Sequence, residues 1–267
     1  MPLTLVPTPI GNLEDITLRA LRVLREADLI ACEDTRTSNI LLSHYDIHKN
    51  LTSFHLHNEN EKLPFLLQKL REGAKIAVIS DAGTPGISDP GFILLRRALD
   101  ENLPVDVLPG ASALLPALLM SGINPQPFIF LGFPPEKSGE RIRLFDSVSR
   151  LSMTLCFYIS PHKAARHITD MINSFGDRGA ALVREISKIF QESIRGNLSA
   201  ILERVNNGVK GELVLIVEGC TQINDSDSWK AEAQLLKQNG SSVRDIVNLI
   251  SQKYNVAKNL IKQQIIS

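Results

Sequence analysis

Short apolar runs alternate with longer amphipathic stretches over the first half of the chain. The apolar runs are typical of buried strands and are "LTLVPT", "DLIACE", "LTSFHLH", "KIAVIS" and "PVDVLPG". Apolar residues at every third or fourth position predict helices at "ITLRALRVLREA", "SNILLSHY", "NEKLPFLLQKLREG", "GFILLRRALDEN" and "ASALLPALLMSG". Five strands that alternate with helices indicate an α/β fold with a parallel sheet covered on both faces.

The alternation changes at "INPQPFIFLGFPP", whose prolines and glycine indicate a crossover into a second domain. Five more strands are predicted after it, within "FIFLG", "MTLCFYIS", "AALVREI", "KIFQESIRG" and "GELVLIVEG". Two of these strands follow each other without room for a helix, so the second sheet is expected to be mixed. We therefore predict two α/β domains, residues 1–121 and 122–224.

Residues 225–267 are predicted to form a small helical tail. A serine cap opens the segment "SSVRDIVNLISQKYNVAKNLIKQQIIS", and a break at "KYNV" separates two helices. Such a pair is typical of a helix-turn-helix, but also of an appendage that packs on its own domain, which is the commoner arrangement. The apolar positions of the two helices are Val243, Ile246, Val247, Ile250, Leu260, Ile261 and Ile265.

The composition is typical of a soluble globular protein, with 43% hydrophobic and 22% charged residues. The N-terminus lacks the basic segment of a secretory signal. The most apolar stretch, residues 107–123, is interrupted by two prolines and two glycines and is short for a membrane span. Cys32, Cys156 and Cys220 form no CxxC pair, so neither a zinc site nor a disulfide framework is expected. We expect a cytoplasmic protein that does not bind membranes.

The segment "SDAGTPGISDPG", residues 80–91, follows the fourth predicted strand. Ligands of open parallel sheets bind at the carboxyl ends of strands, and glycines and prolines make a rigid loop that a ligand can approach closely. Asp81 brings a negative charge, whereas a phosphate site needs the opposite sign, and the chain has no P-loop or GxGxxG motif. The loop therefore favours a ligand with a positive centre, such as an amine or a sulfonium.

Turn capping explains Asp81 almost equally well, and Asp89 is expected to cap the following helix. Two further loops, in "PTPIGNLEDIT" and "VLPGASAL", also follow strands and consist of small or rigid residues. We expect the three strand ends to form one continuous floor.

The motifs "VPTPIGNLEDIT", "CEDTRTSNILL", "SDAGTPGISDPG", "VLPGASA" and "LGFPP" resemble those of the tetrapyrrole methylase superfamily, from about Leu3 to Gly219. Members usually have Gly-Asp-Pro after the fourth strand, and Ser80-Asp81-Ala82 here is similar to the branch that methylates small-subunit ribosomal RNA. The resemblance implies a homodimer with S-adenosylmethionine bound between two α/β domains. It also implies methylation of a cytidine ribose 2′-hydroxyl in the decoding region of 16S rRNA, as naked RNA or in the small ribosomal subunit.

The resemblance further implies which residues bind the cofactor. Those of the first domain are Pro9, Asp81, Gly83, Thr84, Ser112 and Ala113. Those expected to close over the cofactor from the second domain are Tyr158, Ile159, Gly211 and Glu212. Core packing is the alternative role for the second-domain residues, and most of all for Ile159. The chain departs from the family pattern at Phe190-Gln191-Glu192, where relatives often have a glutamate in the segment after "REISK".

Methyl transfer from a sulfonium is an in-line displacement that depends mainly on alignment, which supplies about 7–11 kcal/mol. Because a ribose hydroxyl is a weak acid, a general base or a nearby cation is expected to help. Glu185 and Lys188 in "REISK" are the candidate catalytic residues. A surface salt bridge explains this pair equally well.

Contacts from Lys and Arg to phosphates supply much of the affinity of a protein for RNA. Arg141 and Arg143 in the second domain and Arg36 in "EDTRTS" are predicted to bind RNA, with a solvated surface as the alternative. Residues 1–120 carry 11 Lys and Arg against 15 Asp and Glu, and residues 121–267 carry 18 against 14. This offset fits a polyanion bound by the second half, although chance explains it as well.

His55 and His57 in "SFHLHNENE" are predicted to lie on one side of a strand, lining the cleft or the dimer surface. A third ligand is not apparent nearby, so no metal site is expected. Two other functions are compatible with the sequence: a tetrapyrrole methylase of the same fold and a non-enzymatic nucleic-acid-binding protein that uses the tail. The RNA-branch motifs and the extra helices favour the RNA methyltransferase.

Overall fold

The computed structural model of the chain describes residues 2–220, 228–254 and 258–266. These residues form two compact units. The first consists of Met1–Ser149 with Met153–Glu218, and the second of Arg150–Ser152 with Gly219–Ser267. Both sheets belong to the first unit. The predicted domain boundary between residues 224 and 225 lies outside the described residues.

The first sheet is parallel, as predicted. Its strands have the order β3-β2-β4-β1-β5, and they are β1 (Leu3–Leu5), β2 (Leu29–Cys32), β3 (Leu51–Ser53), β4 (Ile76–Ile79) and β5 (Val105–Val107). Four helices connect them: α1 (Leu18–Glu26), α2 (Thr35–His44), α3 (Glu59–Arg71) and α4 (Phe92–Asp100). Two separate apolar clusters include residues of β4, one with Val78 and one with Ile79, because alternate strand residues point to opposite faces.

The helix α5 (Leu114–Ser121) packs on the second sheet, although the predicted boundary at residue 121 assigned it to the first domain. Ala117 and Leu118 of this helix belong to one apolar cluster with Val183 and Ile216. The chain therefore passes from the first sheet to the second before α5 begins.

The second sheet is mixed, as predicted, with the strand order β6-β7-β10-β8-β9. Only β6 and β7 are parallel. The strands are β6 (Phe128–Phe130), β7 (Thr154–Ile159), β8 (Gly179–Arg184), β9 (Glu192–Asn197) and β10 (Leu213–Val217). The helices are α6 (Ser138–Val148), α7 (Ala164–Phe175) and α8 (Leu198–Asn206). The hairpin of β8 and β9 supplies the two consecutive strands that left no room for a helix.

The strand predicted in "LTSFHLH" is shorter than expected and ends at Ser53. The Asn58 side chain ends it, because its Oδ1 accepts from the His55 N–H at 2.8 Å and its Nδ2 donates to the Ser53 carbonyl at 3.3 Å. His55 and His57 therefore lie in a turn and not on one side of a strand, which corrects the prediction. Among the residues that the structure describes, no group of three or more His, Cys, Asp or Glu is arranged to hold a metal ion.

The described residues of the second unit form three helices where two were predicted: α9 (Ser228–Gln238), α10 (Val243–Tyr254) and α11 (Lys258–Ile266). The expected serine cap is present, since Ser242 Oγ accepts from the Asp245 N–H at 3.2 Å. The helices share an apolar core that includes Trp229, Ile246, Val247, Ile250, Ile261 and Ile265. The turn between α10 and α11 and the Leu260 side chain lie outside the described residues. In the described part of the chain, no helix has the length and apolarity to cross a membrane.

Candidate active site

Three loops at the carboxyl ends of the first sheet are joined into one surface. Thr8 and Gly83 exchange two backbone hydrogen bonds of 2.9 Å, which tie the loop after β1 to the loop after β4. The Thr84 hydroxyl donates to the Ala111 carbonyl at 3.1 Å, which adds the loop after β5. The continuous floor expected from the sequence is therefore present.

The cofactor residues predicted for the first domain all lie on this floor. Gly83 has φ +79°, a conformation that glycine adopts without strain. Pro9 and Gly83 are buried, whereas Asp81 is exposed. Thr84, Ser112 and Ala113 are half-buried. The small side chains around the floor leave its surface open to a ligand.

Three carboxylates follow β2 and β4 at this floor, and we call Glu33, Asp81 and Asp89 the acidic edge. Burial raises the pKa of Asp89 to about 6, and the charge of Glu33 acts in the same direction. Burial also raises the pKa of Asp81 and of Glu33. Among the described residues, no Lys or Arg lies close enough to lower the pKa of these groups. The edge therefore carries negative charge that no lysine or arginine neutralises.

Asp89 does not cap α4, which corrects the prediction. The residue that precedes this helix is Gly91, and it offers no side-chain cap. Asp89 instead lies near Ser80, the residue after β4, whose side chain acts to lower its pKa. Neither Asp89 nor Glu33 was predicted as a site residue. The position of Glu33 directly after β2, like that of Asp81 after β4, was the signal available in the sequence.

Tyr158 connects the second sheet to the floor. Its ring lies between Phe130 and Phe133, with centroid distances of 4.8 and 5.4 Å. Burial raises the pKa of Tyr158, while the neighbouring Ser112 side chain opposes this effect. Tyr158 and Ala113 pack against the same apolar cluster, and because Ala113 follows β5, this packing brings together two predicted cofactor residues from different sheets. Ile159 is 2% exposed, in line with the core role given as its alternative.

The two candidate catalytic residues, Glu185 and Lys188, lie in the turn between β8 and β9. Together with Glu212 they form an ion-paired network, which we call the Lys188 network. The Glu185 carboxylate accepts from Lys188 Nζ and from the Glu212 N–H, both at 3.0 Å. Lys188 Nζ also lies 3.3 Å from Glu212 Oε2. Gly211 has φ +92°, and a Cβ there would overlap the Glu185 carboxylate. An alanine there would have to displace the Glu185 side chain from this network.

Protonation in the Lys188 network is fixed near neutral pH. The Glu212 N–H, followed by the ion pair with Lys188, lowers the pKa of Glu185. Burial alone would lower the pKa of Lys188, but its bonds to Glu185 and Glu212 outweigh burial and raise it. Glu185 is therefore a weak base and Lys188 a stable cation.

Lys188 also contacts the loop after β1. A Cβ at Gly11 would overlap the Lys188 side chain, so the lysine stem lies directly on the Gly11 backbone. This contact places the ammonium group beside the floor of the first sheet. The structure thereby brings the predicted catalytic and cofactor residues into one region.

The structure separates the three arginines predicted to bind RNA. Arg36 is exposed beside the floor and pairs with Asp34 at 2.7 Å, which lowers the pKa of Asp34 to about 2. Arg143 is exposed on α6. Arg141 is 0% exposed, and it donates to Asp170 and to the carbonyls of Pro135 and Glu136.

The prediction for Arg141 is therefore wrong, because no phosphate can reach its guanidinium. Residues spaced three or four positions apart lie on one face of a helix. Arg141 has this spacing to Phe145 and Val148, and the three residues form the buried face of α6. Asp170 and the two carbonyls supply the partners that a buried cation needs.

Comparisons with known proteins settle the family. The family model described as Tetrapyrrole (Corrin/Porphyrin) Methylases matches residues 2–202. The chain is 42% identical to "Ribosomal RNA small subunit methyltransferase I" of Streptococcus pyogenes serotype M3, over 98% of this chain and 93% of that protein. The chain belongs to the tetrapyrrole methylase family. The protein of the same name from Haemophilus influenzae is also 42% identical to this tetrapyrrole methylase, over 98% of this chain and 95% of the relative.

Solved structures of other proteins share the fold of this tetrapyrrole methylase. Diphthine synthase has a TM-score of 0.63 at 13% identity, over 81% of this chain and 89% of that one. Uroporphyrin-III C-methyltransferase from Thermus thermophilus, complexed with S-adenyl homocysteine, has a TM-score of 0.57 at 20% identity, over 81% of this chain and 97% of that one. The family, fold class and methyltransferase activity predicted from the sequence are confirmed.

Proposed function

We propose that this chain transfers a methyl group from S-adenosylmethionine to the ribose 2′-hydroxyl of a cytidine in 16S rRNA. The observation that carries the proposal is 42% identity over 98% of the chain to a methyltransferase named for small subunit ribosomal RNA. The site geometry supports the same activity, because the acidic edge, Tyr158 and the Lys188 network meet at one floor.

The floor suits S-adenosylmethionine better than a nucleotide polyphosphate. The uncompensated charge of the acidic edge attracts an amine or a sulfonium and repels phosphate. Gly83, Ser112 and Ala113 keep the surface open, and we assign Asp81 to the positive centre of the ligand. When bound, S-adenosylmethionine supplies an activated methyl group. The other residues proposed to hold it are Pro9, Thr84, Tyr158, Gly211 and Glu212.

We assign Lys188, and not Glu185, to the ribose hydroxyl. The hydroxyl loses its proton to solvent during methylation, and a fixed cation nearby stabilises the negative charge that develops on oxygen. Glu185 holds the Lys188 ammonium through a 3.0 Å bond, and its lowered pKa makes it a poor proton acceptor. Glu185 is therefore a positioning residue in this proposal.

The RNA is proposed to reach the site past Arg36 and Arg143. The reaction is proposed to take place in the cytoplasm.

The chain is also proposed to form a homodimer. The outer face of α5 supports this assembly, since Leu115 and Leu119 are 55% and 71% exposed. Sedimentation velocity of the wild type and of Leu119→Glu tests it. We expect the wild type to sediment as a dimer and Leu119→Glu as a monomer. A monomeric wild type would contradict the proposed dimer.

Mass spectrometry of RNA nucleosides tests the activity. The purified protein is incubated with S-adenosylmethionine carrying a deuterated methyl group and with either small ribosomal subunits or naked 16S rRNA from a strain that lacks the enzyme. Deuterated 2′-O-methylcytidine is expected from at least one substrate. A methylated base, or transfer to uroporphyrinogen III without transfer to RNA, would overturn the proposal.

A further inference from the structure

An exposed aromatic ring stands at the end of a row that begins in the core of the second sheet. Phe130 and Tyr158 are half-buried, and Phe133 is 57% exposed. The rings of Phe130 and Phe133 lie 4.8 and 5.4 Å from that of Tyr158. Because Tyr158 packs against the same apolar cluster as Ile10 and Ala113 of the floor loops, the open end of the row adjoins the candidate active site.

The loop that carries Phe133 is held in place from both ends. The Gly132 carbonyl accepts from the Tyr158 N–H at 3.0 Å, immediately before the ring. Two and three residues after the ring, the carbonyls of Pro135 and Glu136 accept from the buried Arg141 guanidinium at 2.9 and 2.8 Å. The ring is thus presented to solvent by a fixed backbone, which lowers the entropy that a partner must remove on binding.

We infer that Phe133 stacks on a nucleobase of the RNA substrate. This inference rests on the proposed function. Proteins that recognise RNA in a sequence-specific way mostly bind unpaired bases, which they stack on aromatic side chains. A base on Phe133 would leave its ribose close to Tyr158 and therefore to the site of methyl transfer.

The surroundings of Phe133 favour a nucleic acid over a second copy of the chain. After Pro134 and Pro135 come the exposed, charged residues Glu136 and Lys137. They form ion pairs with Lys163 and Glu140, respectively. The centre of a protein–protein interface is depleted of such charges, whereas an aromatic ring with polar surroundings is the kind of platform on which single-stranded bases stack.

The test compares Phe133→Ala and Phe133→Trp with Phe65→Ala, which removes a ring of similar exposure (45%) on α3, away from the site. Methylation of the RNA substrate is measured at saturating S-adenosylmethionine, and cofactor affinity is measured by calorimetry. We expect Phe133→Ala to raise KM for RNA about 5- to 150-fold, the loss of one stacked base. Cofactor affinity should be unchanged, and Phe133→Trp should restore most of the RNA affinity.

Equal KM values for Phe133→Ala and Phe65→Ala would overturn the inference while leaving the proposed function intact. A loss of cofactor affinity that matches the rise in KM would also overturn it, as would dissociation of a wild-type dimer by Phe133→Ala in sedimentation velocity. If the wild-type protein transfers no methyl group to RNA, the proposed function fails and the inference fails with it.

Discussion

The two halves of the candidate active site carry their charges in opposite ways. On the first sheet, the acidic edge places Glu33, Asp81 and Asp89 together without a Lys or Arg among the described residues that lowers their pKa. On the second sheet, the Lys188 network satisfies each charge with a partner within 3.3 Å. Uncompensated charge attracts a ligand of opposite sign, whereas compensated charge holds a side chain in place. The comparison assigns attraction of the positive centre of the cofactor to the first half, and a fixed position of the Lys188 ammonium to the second.

The Gly211→Ala variant should have the largest effect, because it disrupts the compensated half directly. The added Cβ would overlap the Glu185 carboxylate and also strain a backbone with φ +92°. We expect a loss of about 2–5 kcal/mol in the free energy of unfolding. Gly208→Ala is the matched control, since φ is +93° there but nothing lies within 4 Å of the added atom. Urea denaturation of both variants measures the difference, and equal losses would show that the Glu185 contact is unimportant.

Lys188→Met should lower kcat with little change in cofactor affinity. Removing a group that stabilises developing negative charge typically costs about 100- to 1000-fold in rate. Lys69→Met is the control, because Lys69 and Glu72 form a pair with the same i, i+3 spacing on exposed α3. Single-turnover methylation of RNA provides the rate. If Lys188→Met methylates RNA as fast as the control, the network has no role in the reaction and is only a surface salt bridge.

The folded protein raises the pKa of Asp89 to about 6 from 3.8, so its ionised form destabilises the fold. The penalty is absent below the unfolded pKa, grows as pH rises through the range from about 4 to 6, and is complete above it. At pH 7.5, Asp89→Asn should therefore increase the free energy of unfolding by up to about 3 kcal/mol.

Urea denaturation at pH 5 and pH 7.5 tests the Asp89 prediction, and the gain should be larger at pH 7.5. Asp146→Asn, on an exposed position of α6, is the control. A gain that does not depend on pH would mean that the acidic edge does not penalise ionisation of Asp89.

The sequence allowed the first half to be predicted more completely than the second. Asp81 and Ser112 directly follow predicted strands, and the topology of a parallel sheet brings such strand ends together. The Glu212 N–H that binds Glu185 and the Asp170 carboxylate that binds Arg141 lie 27 and 29 residues away on other elements, and nothing local in the sequence indicates either contact. Charged residues are rarely buried unless they are paired. Because the sequence around Arg141 shows no such partner, this residue was predicted at the surface.

The smallest effect is expected outside both halves, at Arg143. One lost phosphate contact should flatten the slope of log affinity against log salt by about 0.7–0.9. Arg96→Ala, on α4 of the first sheet, should leave the slope unchanged and serves as the control. Salt titrations of RNA binding compare Arg143→Ala with this control. Identical slopes would place the RNA path elsewhere.

Calorimetric titration of S-adenosylmethionine into Asp81→Asn and Glu192→Gln tests the central assignment most directly. Both variants remove one negative charge, but Asp81 belongs to the acidic edge, whereas Glu192 pairs with Arg184 and Arg204 on the second sheet. Asp81→Asn should weaken binding about 10- to 100-fold, the loss of a charge-assisted contact, while Glu192→Gln should bind like the wild type. Equal affinities for the two variants would contradict the assignment of the uncompensated carboxylates to the cofactor.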